Sequence, residues 1–439
     1  MLGEMEHKLF VGMILSSVLG LFAQPVQPPA TNAPLTINFQ EALDRARKYG
    51  AEIQTANITA LLAREDRIQA KSAMLPQTQL FNQFIYTQPN GAPSGVFIAN
   101  DGPHVYASQG QAHQDLSLAK WAEYRRAMAA EAVAKAKADL AARGIVATVV
   151  QDYYAVVIAQ RKVANAQKSL DDARKFLDLT QKQEQGGETA HADVVKAQLQ
   201  VQQRERDVAD AQQGIDKARV TLAVVIFPDF RMDYTVVDDL EQAPPLAPFN
   251  QVQDLALAKS PTLRVAQASL FQETTGISAA RAAYLPVLSF DYFFGIDANQ
   301  VAHYNREHLN NIGSAAQATL TIPLWNWGAT QSKVRQAELK VKQAELDLNM
   351  AQRQLLANLH SFYLEAQLAQ AQLDSLKKSL DLSAESLRLT LLRYQAGEAT
   401  ALEVVDAQTT LSQARNAYDD GLSRYRVAIA NVQTLTGSL

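Results

Sequence analysis

The chain has no cysteine among its 439 residues. That excludes a disulfide scaffold, a thiolate metal site, a thiol nucleophile and a lipid anchor on cysteine. Basic charge is not in excess either. The formal net charge is −4, whereas a nucleic-acid surface needs a basic footprint. No stretch has the ~20 consecutive apolar residues of a spanning helix. Histidines are few: His7, His104, His113, His191, His303, His308 and His360, with no pair at the helical spacing of metal ligands. Nucleophile elbows, phosphate loops and zinc signatures are missing too. The reading is of a non-enzyme with no cofactor, no metal site and no nucleic-acid partner.

Apolar residues are plentiful, at 47% against 20% charged, so the chain can bury a core. Its length would hold two or three ordinary domains. Lys8 precedes the uncharged run Leu9 to Phe22, which ends at Ala23. Residues 1–23 read as a secretory signal peptide cleaved after Ala23, and 24–38 as an N-terminal Pro-rich segment.

The chain then says the same thing twice, 210 residues apart. Phe39 to Pro76 and Phe249 to Pro286 align without a gap and end alike, in Met74-Leu75-Pro76 and Tyr284-Leu285-Pro286. Gly187-Glu188 and Gly397-Glu398 keep the offset, as do Val194-Val195 and Val404-Val405. A duplication in register requires two copies of one structural unit, side by side. Residues 39–226 form the first repeat and 249–437 the second. The connector 227–248, rich in proline and acidic residues, is a linker or irregular packing segment.

Each repeat is expected to run helix, strand, strand, very long helix, tight turn, helix. The first-half helices fall near Phe39–Leu75, Ala122–Glu184 and Ala190–Ile226, with strands near 77–86 and 107–119. The second-half helices fall near Asn250–Leu285, Ala329–Gln395 and Ala401–Thr436, with strands near 287–296 and 314–322. A helix over Ala122–Glu184 would be on the order of 90 Å long, far beyond a compact domain. The two shorter helices of each repeat, stacked end to end, match one long helix. Val404, Ala407, Leu411, Ala414, Tyr418, Gly421 and Tyr425 alternate three and four residues apart, as a coiled-coil seam does. The matching seam from Val194 is interrupted only by Arg204.

The strands alternate instead. Leu288, Phe290, Tyr292, Phe294 and Ile296 are apolar, while the mostly polar or small Ser289, Asp291, Phe293 and Gly295 lie between them. This fits a transmembrane β-barrel with a wet interior. An antiparallel sheet on a soluble core alternates in the same way, so the rival reading is a periplasmic or surface coiled-coil structural protein. Four strands cannot enclose a pore, but three subunits would supply twelve. Trp121, Trp325 and Trp327 fall where strands hand over to long helices, as an interfacial aromatic belt or as packing at the joint.

The duplicated unit and the turn Tyr394-Gln395-Ala396-Gly397-Glu398, followed by Leu402-Glu403-Val404-Val405-Asp406-Ala407, resemble the TolC-type outer-membrane efflux family from about Phe39 to Gly437. The resemblance implies a mainly α fold with a transmembrane β portion, assembled as a homotrimeric α-barrel/β-barrel conduit in the outer membrane and reaching into the periplasm. It implies the exit duct of a tripartite efflux or type I secretion system, with outer-membrane lipid, a periplasmic adaptor and an inner-membrane pump as partners. Segment 227–248 would be the equatorial segment. Asp193 and Tyr394 fall where the family has a gating hydrogen-bond pair. Glu403 and Asp406 fall on its lumen carboxylates, and Asp193 and Lys196 on the first-half equivalents. Gly186, Gly187, Glu188, Ala396, Gly397 and Glu398 would form the hairpin tips that meet the adaptor. Ala399 stands where a tip arginine is expected, so one latching interaction is absent or rebuilt. Exposed carboxylates on a helix also read as a solvated face.

Overall fold

A computed structural model describes residues 35–86, 104–242, 244–305 and 307–437. The signal-peptide reading of 1–23 lies outside the described residues, as does most of the Pro-rich segment. Its last residues, however, form strand β1 (Leu35–Ile37).

The first repeat contains α1 (Phe39–Tyr49), α2 (Ala51–Ser72), β2 (Gln77–Tyr86), β3 (His104–Leu116), α3 (Leu118–Gln185) and α4 (His191–Ile226). After β4 (Tyr234–Val236), the second repeat contains α5 (Phe249–Lys259), α6 (Pro261–Ala282), β5 (Val287–Ala298), β6 (Ile312–Thr321), α7 (Ala329–Gln395) and α8 (Ala401–Thr436).

Three sequence expectations need correction. Each leading helix is broken in two at matching positions, Gly50 and Ser260, whose ψ angles of 118° and 124° are not helical. Pro261 causes the second break, because it can start a helix but cannot donate inside one. At Gly50 an added Cβ would lie 2.2 Å from Ile145 Cδ1, so glycine lets α3 approach at the break. The strand expected near 107–119 is shifted to 104–116, because the Ser117 side chain accepts from Ala119 N at 3.1 Å and caps α3. Likewise β5 runs on to Ala298 and β6 spans 312–321 rather than 314–322. Finally, the connector is not wholly irregular: β4 pairs in parallel with β1, Leu35 opposite Tyr234.

The helices form a layer one helix thick. Near the sheet the order is α2, α3, α6, α7; beyond the middle it is α4, α3, α8, α7. Each long helix is thus covered first by one short helix and then by another. At 1.5 Å per residue, α3 is about 100 Å long. Val404, Leu411, Tyr425, Ala428 and Val432 line the buried seam of α8. At Gly421 an added Cβ would meet Leu376 Cδ1 at 2.5 Å, so α7 and α8 come close there. Arg204, the odd residue of the first-half seam, donates to Thr409 Oγ1 and to Asp207.

The main core lies midway, where β1, β4 and α1 pack on α3. Ile37, Leu43, Tyr153, Leu222, Ile226 and Leu240 are wholly enclosed there. The Tyr153 hydroxyl donates to Val237 O at 2.8 Å, which satisfies a polar group in an otherwise apolar core, and burial pushes its pKa up. Arg161 of α3 binds Asp238 of the connector through two nitrogens, at 2.5 and 2.9 Å, and Asp419 of α8 at 2.9 Å. One guanidinium therefore ties the connector to both repeats.

The sheet is antiparallel in the order β2-β3-β5-β6. The β3–β5 pair joins the repeats. Strands β2 and β6 are left as open edges, each a row of unpaired backbone groups that invites another chain.

Candidate conduit: helical tips and barrel strands

Both hairpin tips use the same turn. Gly187 and Gly397 have φ of 76° and 75°. Glu188 N bonds to Gln183 O at 2.9 Å, and Glu398 N to Arg393 O at 2.8 Å. These are Schellman closures, which need a left-handed residue just past the helix. An added Cβ would meet nothing within 4 Å at either glycine, so backbone conformation alone selects glycine. Gly186 and Ala396 remain right-handed, with φ of −78° and −82°. Glu188 and Glu398 are exposed at the very end.

The Asp193–Tyr394 pair is not formed within the protomer among the described residues. Tyr394 is buried, packs edge-on against Phe176 at 5.1 Å, and donates to Thr180 Oγ1 at 3.4 Å. Its hydroxyl therefore ties the end of α7 to the end of α3. Asp193 instead accepts from Thr189 Oγ1 at 3.2 Å and Lys196 Nζ at 3.3 Å.

Glu403 and Asp406 lie on the exposed side of α8, opposite the buried Ala401, Val404, Gln408 and Leu411. They differ in freedom. Glu403 closes a capping box with Thr400 and meets Arg393 Nη1 at 3.4 Å. The Thr400 backbone N–H, aided by its hydroxyl and by Arg393, holds the Glu403 carboxyl below its usual range. The capping box was readable as Thr-x-x-Glu. Asp406 has no ion-pair partner among the described residues. Arg393, which sequence reasoning passed over, also donates to Glu398 O at 2.9 Å. It supplies an arginine at the tip whose Ala399 is out of character, and it does so from the preceding helix.

The sheet has two unlike faces. Leu80, Phe84, Tyr86, Phe290, Tyr292 and Phe294 share one face and are 42–74% exposed. The other carries Gln77, Gln79, Gln111, His113, Asp115, Asp291 and Gln317. On it, His113 bridges Asp291 (2.6 Å) and Asp115 (3.1 Å), and Asp115 also accepts from Ser289 (2.6 Å) and Lys120 (2.9 Å). This polar clasp crosses the seam between the repeats. Asp115, two residues along the same strand, was the only local signal for His113, because Asp291 arrives by strand register.

An open sheet with one apolar and one wet face, continued by rods about 100 Å long, is the building block of a membrane-spanning duct. Known proteins agree. Residues 252–438 match the outer membrane efflux protein family. The cobalt-zinc-cadmium resistance protein CzcC of Cupriavidus metallidurans is 25% identical over 329 residues, 72% of each chain. Outer membrane protein TolC of Vibrio cholerae is 21% identical over 430 residues, 97% of this chain and 96% of that one. In fold, the CmeC outer membrane channel of Campylobacter jejuni superposes with a TM-score of 0.78 at 16% identity, covering 94% of this chain and 90% of that one. The second half of the chain thus matches the outer membrane efflux protein family, and the whole chain is similar to TolC-type outer-membrane channels. Its place is the outer membrane, reaching into the periplasm, and its relatives are outer-membrane efflux and secretion channels, which supports an exit-duct role.

Proposed function

We propose that three copies close into a twelve-stranded barrel continued by a helical tube, which passes substrates by passive conduction out of the periplasm. The open sheet edges carry this reading: four strands leave β2 and β6 unpaired, and only added strands satisfy them without a membrane penalty. The helical layer has matching unpartnered flanks, with Ile58, Leu61 and Leu62 exposed on α2 and Leu346 and Leu382 on α7. A soluble structural protein would have to cover Leu80, Phe84 and Phe294, and nothing among the described residues does. Detergent-extracted protein should have the mass of three protomers, and a stable monomer retaining its β signal refutes the reading.

The duct would serve a tripartite efflux or type I secretion system, with the glycine tips meeting a periplasmic adaptor that links it to an inner-membrane pump. In each protomer, Tyr394–Thr180 ties the two hairpins together and Arg393–Glu398 locks the second tip, while Asp406, without an ion-pair partner among the described residues, faces the entrance from three copies. Crowded carboxylates favour cations. In planar bilayers Asp406→Asn should weaken cation preference, and unchanged selectivity would remove Asp406 from the lumen. CzcC is named for cobalt-zinc-cadmium resistance, which agrees with a cation-favouring entrance.

A further inference from the structure

The chain has three tryptophans, and all of them lie where the sheet hands over to long helices. Trp325 and Trp327 are 77% and 89% exposed, and their rings meet edge-on at 5.9 Å. Trp327 has φ of 55°, in a left-handed region that bulky side chains avoid. Strain retained at an exposed indole points to a use for it. In the other repeat, Trp121 is half exposed, with the Arg125 guanidinium 5.0 Å from its ring centre.

Basic groups sit on the helical side of this aromatic band. Arg125 lies about two turns into α3, Lys333 and Arg335 lie in the first two turns of α7, and Lys71 lies in the last turn of α2. All four are exposed, and none has an ion-pair partner among the described residues. Several acidic groups nearby are already engaged: Glu123 by Arg126, Glu338 by Arg281 and Asp115 by Lys120. The collar therefore combines outward indoles with unneutralised positive charge, one to two helical turns away.

We infer that this collar binds the anionic headgroups of phospholipids in the leaflet beside the helical half. The indoles set the depth, and Arg125, Lys333, Arg335 and Lys71 contact the phosphates. The inference rests on the membrane-barrel reading above. Indoles favour the headgroup level, and a basic residue beside an anionic membrane surface favours it roughly fivefold. Anionic lipid is the fitting occupant because, even with the exposed Glu65 and Asp66 of α2 at the same depth, unpaired basic groups are in excess among the described residues. A second copy of this chain would bring the same excess.

Since every tryptophan belongs to the collar, intrinsic fluorescence of the whole protein reports on it alone. The full-length assembly is reconstituted in vesicles of phosphatidylcholine with a minor share of phosphatidylglycerol, one lipid at a time being brominated. Brominated phosphatidylglycerol should quench several-fold more effectively than its share predicts, with the preference fading at high salt. Arg125→Gln, Lys333→Gln and Arg335→Gln together should abolish the preference while brominated phosphatidylcholine still quenches. Lys377→Gln with Lys378→Gln, farther along α7, should leave the preference intact. Quenching without preference, or a preference that survives the triple substitution, overturns the collar and leaves the barrel standing. No quenching by either lipid means the indoles are covered by another copy or lie outside the bilayer, and either way overturns the collar.

Discussion

Arg161→Met removes the guanidinium that joins the connector to both repeats while keeping the aliphatic bulk. Its loss strands Asp419, whose side chain is 10% exposed, whereas Asp238 at 37% regains water. Stripping one partner from a buried ion pair costs roughly 3–5 kcal/mol. Asn165 still donates to Asp419 at 2.8 Å, which moves the expected loss toward about 3 kcal/mol. Adding Asp419→Asn neutralises the stranded carboxylate, so the double variant should recover about 1–2 kcal/mol of the summed single losses. Helical ellipticity during denaturation, measured on detergent-solubilised protein for the four forms, reads the coupling. Tryptic cleavage at the exposed Arg231 reads whether the connector has come loose. If the two substitutions add within about 0.5 kcal/mol, Arg161 and Asp419 are independent and the clasp is not a unit.

Three further outcomes follow from the helices. Ala407→Leu on the seam should overpack α8 and cost roughly 1–3 kcal/mol, while Gln413→Leu on its exposed side should be nearly silent; equal effects in denaturation would mean the seam is misassigned. Gly397→Ala forces a Cβ into the left-handed region at a cost of roughly 1–2 kcal/mol, and should speed amide exchange at the tip, whereas Gly186→Ala should not. The depressed Glu403 carboxyl stabilises the tip above the ordinary carboxylate range, and this contribution is lost as pH falls through its folded-state pKa. Glu403→Gln, which cannot titrate, should flatten the acid dependence of amide exchange at 400–404, and an unchanged acid response would assign it to another group.

Strand length, helix length and tip position were legible because each rests on local chemistry. The three-and-four spacing from Val404 needs only a helix, the alternation from Leu288 to Ile296 needs only a strand, and Gly187 and Gly397 need only a turn with positive φ. The Ser260-Pro261 break was missed in a helix expected over Asn250–Leu285, although its signal is local, since proline withholds a donor wherever it sits. Tertiary structure alone decided the rest. Glycine at position 50 has meaning only because Ile145 arrives beside it, and β1 finds β4 across 199 residues, too short a strand to announce itself. Tyr394 chose Thr180 over Asp193 because α3 and α7 end side by side and bury the ring against Phe176. His113 meets Asp291 by strand register, and Arg161 meets Asp419 by helix packing. Periodicity states which face of an element is buried; the partner on that face depends on long-range contacts that no local window contains.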